Sequence, residues 1–376
     1  MLRASYVIMR RWWTKWKGQR ERLYGHVLTI IGCSLALYGC VVVQPIAYET
    51  TTSTACERSA PRIERTSFPQ QEHIPLPIDM LEDKLRDEPF TIIKAHSTPH
   101  GTTSAMRLTI QFGDCSVMQV KWRAAPRRGD AYNNSPRKEL AAYTIQKLYL
   151  EPQDYVVPVT VAVCIPQEEL AKIGARATPQ LAGTTCAWGT LMIWIDNVKL
   201  VRMIWDPERF ERSLASHKDN RYAWHFANLN LLTYLINHLD GRKSNFLMSN
   251  HPDSLRLFSV DNGLSFSGIG NPLPWVPRWN KLRVPKLPRD SVMRLQRLTR
   301  AQLYRRLGTV VEFRMTQDGH LSPASHVSNN LNPKEGIRVE GRMMQIGLRQ
   351  KEIAQIEDRL NRLLQRIEAG EIPLFF

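Results

Sequence analysis

The chain has 376 residues, 43% of them hydrophobic, and a formal net charge of +16. Length and apolar content exclude a disordered chain and allow one large domain, or two lobes with appendages. The charge is gathered into blocks, and no arginine-rich stretch is interleaved with aromatics, which argues against a nucleic-acid partner.

The first block, residues 1–26, holds seven Lys and Arg against one Glu, and an uncharged, mostly apolar run, Val27–Val43, follows. That run is near the minimum that spans a bilayer, and its basic flank predicts a cytoplasmic N-terminus with everything from residue 44 onward on the other side. Two addresses fit: an uncleaved signal-anchor, or a lipoprotein signal in which Leu37-Tyr38-Gly39-Cys40 precedes lipidation at Cys40. Residues 44–75, rich in Thr, Ser, Pro and charge, read as a stalk. Six cysteines are too few for a disulfide scaffold, and no CxxC spacing suggests structural zinc. In an oxidising compartment Cys164 and Cys186 are the candidate bridge.

The folded part is expected to begin near Pro75–Lys84. Ser104–Phe112 and Cys115–Trp122 alternate apolar and polar residues around Gly113-Asp114, which predicts a hairpin. Lys121 stands at the end of its second strand. A Gly, Asn and Pro loop then leads into a helix over Arg137–Leu150, whose Leu140, Tyr143, Thr144, Lys147 and Leu148 mark one face. Strand-like stretches follow at Tyr155–Val163 and Trp188–Ile195, with a polar loop, Gln167–Thr185, between them. Near Met192–Asn197 the chain is expected to pass from a smaller β-rich part, 76–195, to a larger helical part, 196–320. Asp206–Leu214 reads as a short helix with Pro207 in its first turn, and Tyr222–Leu239 as a strongly apolar one. Phe246–Met248 and Leu255–Val260 make a second hairpin. The second basic block, 278–314, carries eleven Lys and Arg against two acids, and Ser322–Gly336 reads as a loop. Gly341–Ala369 places Met344, Leu348, Ile353, Ile356, Leu360, Leu363, Leu364 and Ile367 at helical spacing, an amphipathic helix for core packing or for a homodimer or partner contact.

Asp240 and Asn245 stand five apart in His238-Leu239-Asp240-Gly241-Arg242-Lys243-Ser244-Asn245, and a short strand then ends in Asp261-Asn262-Gly263. This order suits phosphoryl transfer: Asp240 as the base that accepts a hydroxyl proton, Asn245 and Asp261 as metal ligands. Upstream, Lys121 would grip nucleotide phosphates, and Glu139, eighteen residues later on the next helix, would hold it. Each residue also has a plain structural reading. Lys121 could be a strand-edge lysine, Glu139 a first-turn acid favoured by the helix dipole, His238 a packed helix-end histidine. All five in this order point to the site.

Gly101–Phe112, Val120-Lys121, Arg137–Tyr143, Leu231–Asp240 and Val260–Phe266, with a basic helix over Arg289–Leu307, resemble the secretory-pathway kinases of the Golgi casein kinase, xylosylkinase and Four-jointed group over roughly 101–310. The resemblance implies an α+β, two-lobed, protein-kinase-like fold, ATP with Mn²⁺ or Mg²⁺, and a protein Ser/Thr or glycan hydroxyl as acceptor outside the cytoplasm. It carries the base onto Asp240, phosphate binding onto Lys121 with Glu139, and metal binding onto Asp261. Two departures stand out. Gly241 occupies the place after the catalytic Asp where the group commonly has Arg, and Asn245 is present as in ordinary protein kinases. They leave room for a lipid or small-molecule kinase, or for a pseudokinase that binds nucleotide without turnover.

Overall fold

In the computed structural model the described residues are 47–49, 77–98, 105–131, 134–201, 205–216, 220–250, 255–266 and 279–376. The basic segment 1–26, the apolar run 27–43 and Cys40 lie outside them. Among the described residues no helix is long and apolar enough to cross a membrane.

A mixed α+β architecture starts with an antiparallel sheet. Its strands are β1 (Ala47–Glu49), β2 (Phe90–Ser97), β3 (Met106–Phe112), β4 (Val117–Ala124), β5 (Thr160–Pro166) and β6 (Cys186–Ile193), in the order β1-β2-β3-β4-β6-β5. The β3–β4 hairpin matches the alternating pattern, and its turn is closed by Ser116 N–H donating to Asp114 Oδ1 at 3.0 Å. β5 and β6 are buried on nearly every residue, so they read as continuous apolar runs rather than alternating ones. Helix α1 (Ile78–Asp87) lies between β1 and β2, and these two strands extend the sheet beyond those that the alternation predicts. β1 falls inside the expected stalk. Cys164 and Cys186 are bonded, with Cα atoms 5.5 Å apart, and clasp the ends of the 167–185 loop, which contains the short helix α3 (Gln167–Lys172).

Helix α2 (Pro136–Gln146) has Pro136 at its first position and is buried almost all round. It is not the one-faced helix its spacing suggests, because protein covers both of its sides. Helix α4 (Pro207–Ala215) begins where Asp206 caps Arg209 N–H at 2.9 Å. Helix α5 (Arg221–Leu235) stops four residues before the expected Leu239. Asn237 takes a left-handed conformation, φ 47°, and donates to Tyr234 O at 3.1 Å while His238 N–H donates to Thr233 O at 2.9 Å. That pair of bonds is a Schellman closure, which asparagine tolerates better than any β-branched residue.

A three-stranded sheet follows, β7 (Val198–Leu200), β8 (Phe246–Ser249) and β9 (Leu257–Ser259), in sequence order. The short strand β10 (Leu287–Pro288) lies within the basic block. There the single helix expected over Arg289–Leu307 is two, α6 (Arg289–Gln296) and α7 (Arg300–Gly308). Thr299 breaks it: its hydroxyl accepts from Gln302 N–H at 3.2 Å while the Gln302 side chain accepts from Thr299 N–H at 2.8 Å.

The C-terminal part departs most from expectation. β11 (Val311–Met315), β12 (Leu321–Pro323), β13 (Ile337–Glu340) and β14 (Met343–Ile346) form a sheet ordered β12-β11-β14-β13, and helix α8 (Gln350–Glu368) starts nine residues after Gly341. Met344 lies on β14 and Leu348 in the connection that follows it, both buried, so their apolar character reflects a strand and a packed loop where the spacing suggested helix. Phe313, Leu321, Met344 and Ile346 pack with Leu140, Ala162 and Trp188, so this sheet lies against α2 and the first sheet. The apolar face of α8, Ile353, Ile356, Leu360 and Leu363, is buried in the chain's own core. The last strand, β15 (Leu374–Phe375), pairs in parallel with β10.

His225 of α5 supplies a pH test of this core. Burial, then the nearby Arg256 and Arg221, push its imidazole down to about 3 from an ordinary 6.5. The unfolded chain therefore binds the proton more readily, and stability is lost as pH falls below about 6.5. Urea unfolding is expected to give a free energy lower by about 2–3 kcal/mol at pH 4.5 than at pH 7 through this group. His225→Phe should remove that share of the slope; an unchanged slope would contradict the buried neutral assignment.

Candidate functional site

Period-two geometry puts Lys121 and Arg123 on the same face of β4, while Val120 and Trp122 go into the core. Facing them, Asp261 stands just before a 3₁₀ turn, Asn262–Leu264, in a left-handed conformation with φ 61° and ψ 48°. Lys121 Nζ donates to Asp261 Oδ1 at 3.0 Å, and Arg123 Nη1 donates to the same oxygen at 3.1 Å. Arg123 Nη1 also reaches Glu139 Oε1 at 3.2 Å. Glu139, 3% exposed in the first turn of α2, accepts two further bonds, from Asn262 N–H at 2.9 Å and Gly263 N–H at 3.2 Å.

Three expected residues, Lys121, Glu139 and Asp261, are thus brought together, but the pairing is shifted. Glu139 is held by Arg123, and Lys121 is held by Asp261. Arg123 is the residue that the reading of the sequence passes over, although its position two after Lys121 on an alternating strand marks it as a neighbour.

The electrostatics follow this arrangement. Burial and then repulsion from Asp261 raise the Glu139 carboxyl above its ordinary value, against the pull of Arg123 and Lys121. Burial also pushes Asp261 upward, but Lys121 and Arg123 outweigh it and hold that carboxyl below the usual range. The Asp261 side chain remains 38% exposed, so the cluster opens to solvent on that side.

Asp240 sits on the turn released by the Schellman closure. Arg242 Nε forms an ion pair with Asp240 Oδ1 at 2.9 Å, and Asn245 Nδ2 donates to Asp240 Oδ2 at 2.8 Å and to its backbone oxygen at 2.9 Å. Arg242 thus reaches Asp240 from two residues later. Gly241 is closely packed where it stands. A Cβ there would lie 3.1 Å from His238 O and 3.4 Å from Trp279 N, whose N–H donates to Gly241 O at 3.0 Å.

Two backbone bonds tie this turn to the Asp261 segment: Val260 N–H to Asn245 O at 2.9 Å, and Leu239 N–H to Leu264 O at 3.3 Å. His238 is buried with its ring edge-on to Phe246, 6.3 Å between centroids, and underpins the turn.

The donor set can be compared with the needs of a divalent ion. Both cations reach Asp261 through Oδ1, and Asn245 Oδ1 accepts from Ser244 Oγ at a long 3.3 Å. Asp261 Oδ2 and Asn245 Oδ1 are hard oxygens of the kind Mg²⁺ and Mn²⁺ prefer. Among the described residues no group of three or more His, Cys, Asp or Glu gathers. Two protein oxygens suit an ion that keeps waters and shares a substrate's phosphates, and do not suit an all-protein cage. No protein-family model matches the chain, and no curated protein does.

Arg123 compensates two carboxylates at once. Arg123→Met is expected to lower the urea unfolding free energy by about 3–5 kcal/mol, the scale for a buried charge left without its partner. Adding Glu139→Gln should recover a large part of the loss. A loss under about 1 kcal/mol would show that Arg123 does not hold the cluster.

Proposed function

We propose that the chain is an ATP-dependent phosphotransferase with a two-lobed, protein-kinase-like fold, transferring the γ-phosphoryl group to a protein Ser/Thr or glycan hydroxyl. The observation that carries this reading is one connected set of groups in the order a kinase site requires: a strand lysine, a buried glutamate on the next helix, Asp240 bonded to Asn245, and a left-handed Asp-Asn-Gly. Lys121 is poised to exchange Asp261 for an α- or β-phosphate oxygen. Glu139 holds Arg123 and the Asn262–Gly263 backbone, and so fixes where Asp261 points. Asp240, oriented through both carboxylate oxygens, keeps a lone pair for the acceptor hydroxyl's proton as that oxygen bonds to the γ-phosphorus and ADP leaves. Asp261 and Asn245 would hold Mn²⁺ or Mg²⁺, which supplies charge neutralisation at the phosphates.

In this reading the reaction takes place outside the cytoplasm, with the chain tethered through its N-terminal segment. The basic flank before Val27–Val43 supports this orientation, as does the Cys164–Cys186 bond, which persists in oxidising compartments.

A second reading has a specific observation behind it. Lys121 and Arg123 both occupy Asp261, the arrangement of a nucleotide-binding module that senses or activates without turnover. Full-length protein in detergent, incubated with labelled ATP, Mn²⁺ or Mg²⁺ and mixed dephosphorylated protein and glycan acceptors, separates the two. Transfer is expected, falling at least about 10²-fold in Asp240→Ala and vanishing in Asp261→Ala. Metal-dependent ATP binding with no transfer favours the module. No ATP binding by the wild type contradicts both.

A further inference from the structure

Arg137 precedes Glu139 by two residues and is 2% exposed. Two residues turn a helix by about 200°, so the side chains leave α2 on opposite sides. Glu139 goes to the Asn262–Gly263 backbone. Arg137 goes to the C-terminal segment, where Nη1 meets Glu352 Oε2 at 2.6 Å and Nη2 meets Glu352 Oε1 at 2.9 Å. Its Nε donates to Asp130 Oδ2 at 2.8 Å and its Nη1 also points at Gly347 O, 3.4 Å away. Glu352 is itself fixed, since its Oε2 accepts from Arg349 N–H at 2.8 Å at the start of α8. Space is reserved for this fork: a Cβ on Gly336 would lie 2.7 Å from Arg137 Nε.

A buried guanidinium met by a two-pronged carboxylate has one low-energy placement, unlike an exposed ion pair. We propose that the Arg137–Glu352 pair is a positioning device: it sets the first turn of α2 so that Glu139 meets the Asn262 and Gly263 amides. Residues 336–352 are then a working part of the site. The proposal rests on Glu139 being a site residue, as the phosphotransferase reading holds, yet the placement of Glu139 has its own observable. The Asn262 and Gly263 N–H groups donate to Glu139, so their hydrogen exchange reports whether it is seated.

Native-state exchange of the full chain in detergent tests this, comparing wild type, Glu352→Gln, Arg137→Lys and Leu360→Ala. Leu360 is buried on the same helix, away from the fork, and reports plain destabilisation. The Gln and Lys variants are expected to lose about tenfold or more protection at Asn262 and Gly263 beyond the change in globally exchanging amides. Leu360→Ala should lower both in proportion. If both amides track global stability in Glu352→Gln as they do in Leu360→Ala, the pair is only structural and the proposal is overturned; the same proportional loss in Arg137→Lys would overturn it independently. Binding of ATP with Mn²⁺ is measured on the same samples. Wild type without nucleotide binding would end the phosphotransferase reading and leave the exchange result standing, whereas intact binding with proportional exchange would end this proposal alone.

Discussion

Two carboxylates share one guanidinium nitrogen at the centre of this protein. Glu139 is buried and Asp261 half-exposed, and each raises the energy of the other's charge. Without a cation between them, one would have to take up a proton or turn away. Arg123 donates to both and keeps them adjacent, and the two backbone amides of Asn262 and Gly263 satisfy the remaining capacity of Glu139. Lys121, meeting Asp261 at the open edge, is then the cation best able to change partners.

Each surrounding element can be understood as a constraint on that cluster. The register of β4 against β3 and β6 sets the two cations in mid-sheet, with Lys121 opposite Arg107 and Met192. The left-handed Asp261 turns its carboxylate back toward the sheet. The Schellman closure after α5 frees the Asp240 turn from the helix axis, and backbone bonds from Val260 and Leu239 join that turn to the Asp261 segment. From the far side, α8 holds α2 through Arg137, and the sheet β12-β11-β14-β13 packs on α2 at Leu140. The C-terminal region is therefore continuous with the mechanics of the site.

How much of this was legible in the residues follows from the range of the forces. Alternation foretold the β3–β4 hairpin, whose pairing is local, and the strand-like stretches 155–163 and 188–195 overlap β5 and β6. The bond between Cys164 and Cys186 and the neighbourhood of Asp240, Asn245 and Asp261 were legible too, since short connections link them. The two-part basic helix depended on one threonine hydroxyl outcompeting helix continuation, and the β11–β14 sheet hid behind an apolar spacing that suggested helix. The exchange of partners, Arg123 for Lys121 at Glu139, is a matter of ångströms between side chains far apart in sequence. Gly241 was legible only as a departure. The His238 backbone oxygen approaches it closely, and Arg242 serves Asp240 from the next position.

The central claim is that Asp261 works as a nucleotide-dependent metal ligand beside a cation ready to leave it. Calorimetric titration of ATP into the full chain, with and without Mn²⁺, tests it most directly. The account predicts binding that requires the metal, is lost in Asp261→Asn and is retained in Asp240→Asn, where only proton transfer should suffer. Equal binding by wild type and Asp261→Asn, or binding indifferent to the metal, would contradict it.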